Sequence, residues 1–320
     1  VSGMSGPGIA AVAAQVAVVT AGAPLLAGLM RQVRARLEGR AGAGIAQPWR
    51  DLRKLLRKEP ITPVGTGPAF RAAPALLVAT TAVTAALVPF LSTDTPVGRN
   101  ADVILVVALL ALGTVALALA GLDSGTAFGG MGASREMTIA ALVEPTILLA
   151  VFALSIPARS TNLPAIVAGA VEQPARLASP AGLLATAALA VAVLAETGRL
   201  PVDNPATHLE LTMVHEAMVL EYAGPDLALV ELGAQMRLTV LLGLLTSVFA
   251  PWGIATGPSW AALAVALAVF VAKTALLGAA LAAGEVFWAK LRLFRVPELL
   301  AGSFLLALLA VTASYFLSGE

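Results

Sequence analysis

The chain has 320 residues, of which 58% are apolar and only 12% charged, with a net charge of +1. An average soluble domain carries about twice that charge, and near neutrality gives no electrostatic case for nucleic acid. Cysteine is absent, which excludes disulfides and thiolate ligands for zinc or iron–sulfur clusters. A redox centre working with this chain must therefore sit on another polypeptide.

Apolar runs of about 20 residues, the length that spans a bilayer, recur along the sequence. They are continuous, whereas the strands of a membrane barrel would alternate. The fold class is an all-α polytopic membrane protein, a single integral membrane domain over 1–320 with about eight spans and amphipathic interfacial helices. The expected spans are 8–30, 70–91, 102–122, 137–156, 181–196, 226–249, 259–284 and 297–317. The positive charges near span 1 follow it, as for a retained span and not a cleaved signal peptide. No internal repeat is visible, which weighs against an inverted-repeat transporter.

Orientation follows from the basic residues. The connections 31–71, 123–136, 197–225 and 285–297 hold fifteen Arg and Lys, and the opposite connections hold only Arg99, Arg159 and Arg176. The expectation is a multi-pass membrane protein with the basic side in the cytoplasm and both termini outside.

Polar stretches in chain order supply the candidate sites. In QPWRDLRKLLRKEP at 47–60, Trp49, Leu52, Leu55 and Leu56 recur at helical spacing, with Arg50, Arg53, Lys54, Arg57 and Lys58 between them. This reads as an amphipathic interfacial helix, either bound to anionic lipid or docking a partner, and ended by Pro60 and Pro63. FGGMGASREM at 128–137 reads as a glycine turn before span 4. Ser134 is its expected cap, Glu136 lies in the first turn, and Arg135 is expected to face an acid. Glu144 falls in the middle of span 4 before Pro145, where a carboxylate is costly to desolvate and suits a proton relay.

The densest polar stretch is AETGRLPVDNPATHLELTMVHEAMVLEYAG at 195–224, which holds both histidines. Glu196 and Arg199 stand at i,i+3 and are expected to pair. Asn204 or Thr207 is the expected cap of a helix running through Tyr222. His215 and Glu216 lack the HExxH spacing, so no metal site is expected. Further on, Asp226, Glu231, Arg237, Lys273 and Glu285 lie in or beside spans 6 and 7. With Glu144 and the loop acids they are expected either to hold the bundle by ion pairs or to form a lateral relay. No catalytic constellation is present.

Four stretches, QPWRDLRKLLRKE, GGMGASRE, the Glu144 region and AETGRLPVDNP with EYAG, resemble the membrane subunit common to respiratory complex I (its H subunit) and membrane-bound nickel–iron hydrogenases such as formate hydrogenlyase. The hydrogenase branch fits better: Val202, Ala206 and His208 stand where the complex I pattern has an aromatic residue and two glutamates, while Glu210 is kept. The resemblance implies a subunit that anchors a hydrophilic redox arm and couples electron transfer to proton or sodium movement. The nickel–iron centre and iron–sulfur clusters are then expected on large and small partner subunits, beside antiporter-like membrane partners. Lipid is a further contact, and quinone a ligand in the complex I alternative. The expected coupling residues are Glu144, Glu196, Asp203, Glu210, Glu216, Glu221, Glu231, Lys273 and Glu285. Arg53, Lys54, Arg57, Lys58, Arg135 and Arg199 are the expected partner contacts.

Overall fold

A computed structural model describes residues 6–203, 213–288, 291 and 295–318. It is an all-α bundle in which seven helices are long and apolar enough to cross a membrane. They are α1 (Gly6–Leu37), α3 (Pro68–Leu87), α4 (Val103–Asp123), α5 (Ala127–Ala158), α9 (Gly224–Phe249), α10 (Trp260–Phe287) and α11 (Val296–Ser318). Shorter helices intervene: α2 (Gln47–Leu55), α6 (Leu163–Glu172), α7 (Pro180–Glu196) and α8 (His215–Val219). The eighth expected span is α7, whose 17 residues reach only about 26 Å, short of the roughly 30 Å hydrocarbon layer. Its last residue, Glu196, is thereby drawn into the bundle.

α9 is the central helix, and it packs against α1, α3, α7 and α10. α3, α4 and α5 follow one another around one side, and α11 lies against α5 and α7. α10 sits on the opposite flank against α1 and α9. Leu26, Met30, Phe90, Ile147, Leu189, Met236 and Leu241 are among the side chains that fill the core.

Two helices begin earlier or end later than their hydropathy indicates. α1 continues to Leu37 with Arg34 and Arg36 in its last turn, where cations favour the carbonyl end of the helix dipole. α5 starts at Ala127, capped by Thr126 Oγ1, which accepts the Gly129 N–H at 3.1 Å. The expected glycine turn at 128–137 is therefore helix, and Ser134 is an interior residue, not its cap. The glycines serve contact instead. A Cβ at Gly132 would lie 2.9 Å from Ala217 Cβ and from the Val214 carbonyl, and one at Gly121 would lie 3.1 Å from the Gly129 carbonyl. Bare backbone is what lets α4, α5 and α8 meet.

The ends of the bundle are tied differently. At one end the Phe70 N–H donates to Asp123 at 2.9 Å, and Leu291 N–H donates to the Pro201 carbonyl at 2.9 Å. α2 lies along α1 at this end, with Leu52 buried and Trp49 Nε1 bonded to the Ala21 carbonyl at 3.1 Å. Its Arg53 and Lys54, and the following Arg57 and Lys58, are exposed. At the other end Ser92 pairs with Ala255 and Asp102 with Asn162.

Candidate functional site

α7 stops at Glu196, and Gly198 takes a left-handed conformation (φ 57) that turns the chain back into the bundle. Thr197, Gly198, Val202 and Asp203 then line a cavity of about 80 Å³. Its other walls come from Thr114 on α4, Glu136 on α5, Glu196 on α7, His215 at the start of α8 and Arg237 on α9. Glu196, Asp203 and Arg237 are all buried.

Arg237 organises the site. It donates to Glu196 Oε1 and to Thr114 Oγ1, and to the Leu110 carbonyl at 3.0 Å. Glu196 does not pair with Arg199 as the i,i+3 spacing suggested, because the helix ends before Arg199 and the chain turns away. Glu136 lies within electrostatic reach of Glu196, Arg237, Asp203 and Glu144. Glu144 sits about two turns further along α5 and feels Glu196 and Arg237. Glu144 Oε1 and Arg237 Nε are buried without a hydrogen-bond partner among the described residues. Such atoms are satisfied by water or by a protein rearrangement, or they carry a functional role.

A second ionic cluster lies beside the first. Glu285 at the end of α10 is buried and accepts from Arg34 at 2.7 Å and Arg199 at 3.3 Å. Burial lowers the proton affinity of the Arg199 guanidinium, and the Glu285 carboxylate opposes that shift. Arg199, expected on a partner surface, thus turns inward and links the 197–203 loop to α1 and α10. Arg135 likewise bonds within the chain, donating to the Met213 carbonyl at 2.7 Å.

The remaining expected residues are dispersed. Glu216 and Glu221 are half-buried at α8 and just after it, and Glu231 is half-buried on α9. Glu210 lies outside the described residues, as do Asn204 and Thr207, the expected helix caps. Lys273 does not join the acids: it donates to the Ala250 and Trp252 carbonyls beyond α9 and sits 4.1 Å over the Trp252 ring. Among the described residues no three acids or histidines gather as a metal site.

Sequence reasoning missed Glu136 and Thr114 as site members and left Arg237 as either a bundle ion pair or one group of a lateral relay. Glu136 had a readable signal: it stands eight residues before Glu144, on the same stripe of a helix. Tyr222 was missed as well. Its hydroxyl donates to the Phe70 carbonyl at 2.8 Å and its ring stacks on Phe70 at 4.1 Å, which explains the EYAG stretch as a clasp between the start of α9 and the start of α3. Burial raises the Tyr222 pKa above the ordinary phenol range, and Asp226 and Asp123 add to the rise.

A family model described as NADH dehydrogenase matches residues 9–315. Hydrogenase-4 component C of Escherichia coli (strain K12) is 35% identical over 257 residues, covering 79% of each chain. Formate hydrogenlyase subunit 4 of the same organism is 33% identical over 296 residues, 92% of this chain and 95% of that one. An H subunit of the NADH-quinone oxidoreductase of Syntrophobacter fumaroxidans is 30% identical over 243 residues, 71% of this chain and 72% of that one. A chain of the membrane-bound sulfane sulfur reductase, an archaeal respiratory membrane complex, superposes with a TM-score of 0.79 at 19% identity, covering 95% of this chain and 98% of that one. At that identity the likeness is one of fold.

Proposed function

From the premise that this chain belongs to the NADH dehydrogenase family of membrane subunits, the family of the complex I H subunit, we propose that it anchors the redox arm of a hydrogenase-type complex and couples electron transfer to ion movement. The branch rests on identity: the two hydrogenase-type relatives match at 35% and 33% and the NADH-quinone relative at 30%. The nickel–iron and iron–sulfur centres would sit on partner subunits, and antiporter-like membrane partners would carry the ion onward. The basic end of the bundle faces the cytoplasm in this reading, with both termini outside and the exposed face of α2 available to lipid or the arm.

The observation that carries the coupling role is the arrangement of Glu136, Glu144, Glu196 and Asp203 about the single guanidinium of Arg237. Intramembrane acids in such number are costly unless they exchange protons or countercharges. The cavity has the size and polarity to hold a few waters, which would let a proton pass between Asp203 and Glu136 in its wall and on to Glu144 further along α5. The test uses the assembled complex in sealed vesicles. Glu144→Gln is expected to abolish ion movement during turnover while dye-linked redox activity persists; undiminished ion movement refutes the role.

One feature favours the quinone alternative. An apolar crevice of about 150 Å³ opens between α1, α9 and α10 beside Ile45, lined by Val18, Leu25, Leu29 and Phe270. Covalent labelling of this crevice by a photoreactive quinone, competed by unmodified quinone, would transfer the chain to that reading.

A further inference from the structure

At the end of the bundle opposite the acids, α5, α7 and α11 diverge around a cavity of about 920 Å³. Much of its wall is apolar, with Ala153 and Leu154 from α5, Ala181 from α7, and Phe316 and Leu317 from α11. Ser314 donates to the Ala153 carbonyl at 2.6 Å and joins two of these walls. Phe316 and Leu317 are exposed, so the apolar surface continues out of the cavity along the helices.

Two guanidiniums, Arg159 and Arg176, line the same cavity, and no Asp or Glu does so among the described residues. The connections at this end of the bundle hold only three basic residues, Arg99, Arg159 and Arg176. Two of the three therefore converge on one opening, at the end where basic residues are scarce. Arg176 donates to the Pro157 carbonyl at 3.3 Å, which leaves most of its fork for another acceptor. Arg159 closes α5 at φ 51, a left-handed conformation that glycine or asparagine adopts at less cost. An arginine held in that conformation is the kind of backbone outlier that accompanies functional sites.

We propose that this cavity binds one anionic phospholipid, with its phosphate between Arg159 and Arg176 and an acyl chain along Leu154, Phe316 and Leu317. Guanidiniums hold phosphate oxygens in paired hydrogen bonds. Basic pockets between membrane helices on the cytoplasmic side bind anionic headgroups, and the same pairing of guanidinium with phosphate is proposed here at the opposite end. A free anion would use the two arginines but gain nothing from the apolar walls, and the cavity is at the large end of those that enclose organic ligands.

The test measures phospholipid retained by the full chain in its detergent-extracted complex, after delipidation and exposure to vesicles of phosphatidylglycerol or of phosphatidylcholine. Wild type is expected to retain phosphatidylglycerol preferentially. The R159N/R176Q double variant should lose affinity by roughly thirtyfold, the effect of removing two basic contacts at an anionic headgroup. Asparagine keeps the left-handed backbone open to residue 159, and R159K/R176K should retain most of the binding. Equal retention of phosphatidylglycerol by wild type and the double variant overturns the proposal. So does equal retention of the two lipids by wild type, or displacement of bound lipid by inorganic phosphate at matched concentration.

Discussion

Arg237 on α9 donates to Glu196 on α7, and the same nitrogen reaches Thr114 and the Leu110 carbonyl on α4. One cation thus ties three helices together around the acids. Removing it leaves a buried carboxylate uncompensated, which in proteins costs about 3–5 kcal/mol. Arg237→Met is therefore expected to lower the thermal stability of the detergent-solubilised complex markedly. The double variant Arg237→Met with Glu196→Leu should recover much of that loss. No recovery would mean that the bonds to α4, and not the ion pair, carry the stabilisation.

Glu136→Gln keeps the shape of the side chain and removes its capacity to take up a proton. Ion movement per redox turnover is expected to fall on the order of 10²-fold, the low end of what a positioned proton-transfer group contributes. Binding of the hydrophilic partner, followed by co-purification, should not change. An unaltered transport ratio would demote Glu136 to a passive neighbour of Arg237.

The glycines of the GGMG stretch are unequal. A methyl at Gly132 meets Ala217 and the Val214 carbonyl at 2.9 Å, whereas one at Gly130 meets nothing within 4 Å. Gly132→Ala is expected to destabilise by about 1–3 kcal/mol through overpacking. Gly130→Ala should be neutral or stabilise by about 0.5–1 kcal/mol, since glycine weakens a helix interior. Comparing the melting temperatures of the two variants checks the assignment of this segment to helix.

The spans were legible because continuous apolar length is a local property, and each expected span has a helix over it. What the sequence could not display was the distance between helices. Glu196 and Arg199 look like partners along the chain, yet α7 ends between them and each finds its countercharge on a different helix. The glycine stretch looks like a turn because glycine disfavours helix in water, but here the missing side chains admit α8. Lys273 looked like a member of the acid chain only because its height in the bundle is not written in its neighbours. The site was readable as a set of charged residues, not as a set of pairs.

Tyr222 predicts an alkaline limit. Its pKa is raised in the folded chain, so the folded state keeps the phenol protonated while the unfolded chain ionises near pH 10. The contribution of this group is fully present below about pH 10 and declines as pH rises beyond it, with a limiting slope of about 1.4 kcal/mol per pH unit. Tyr222→Phe should cost about 0.5–1.5 kcal/mol at neutral pH by removing the bond to Phe70. It should also flatten the stability profile above pH 10. A variant that retains the wild-type alkaline slope would assign that slope to another group.

The last two long helices do not form a hairpin: α10 lies against α1 and α9, and α11 against α5 and α7 on the other flank. Each must find a docking groove assembled from segments made earlier, so a truncation after Phe287 should still leave α10 lodged against α1, with the groove on α5 and α7 vacant and open to whatever membrane helix is nearby.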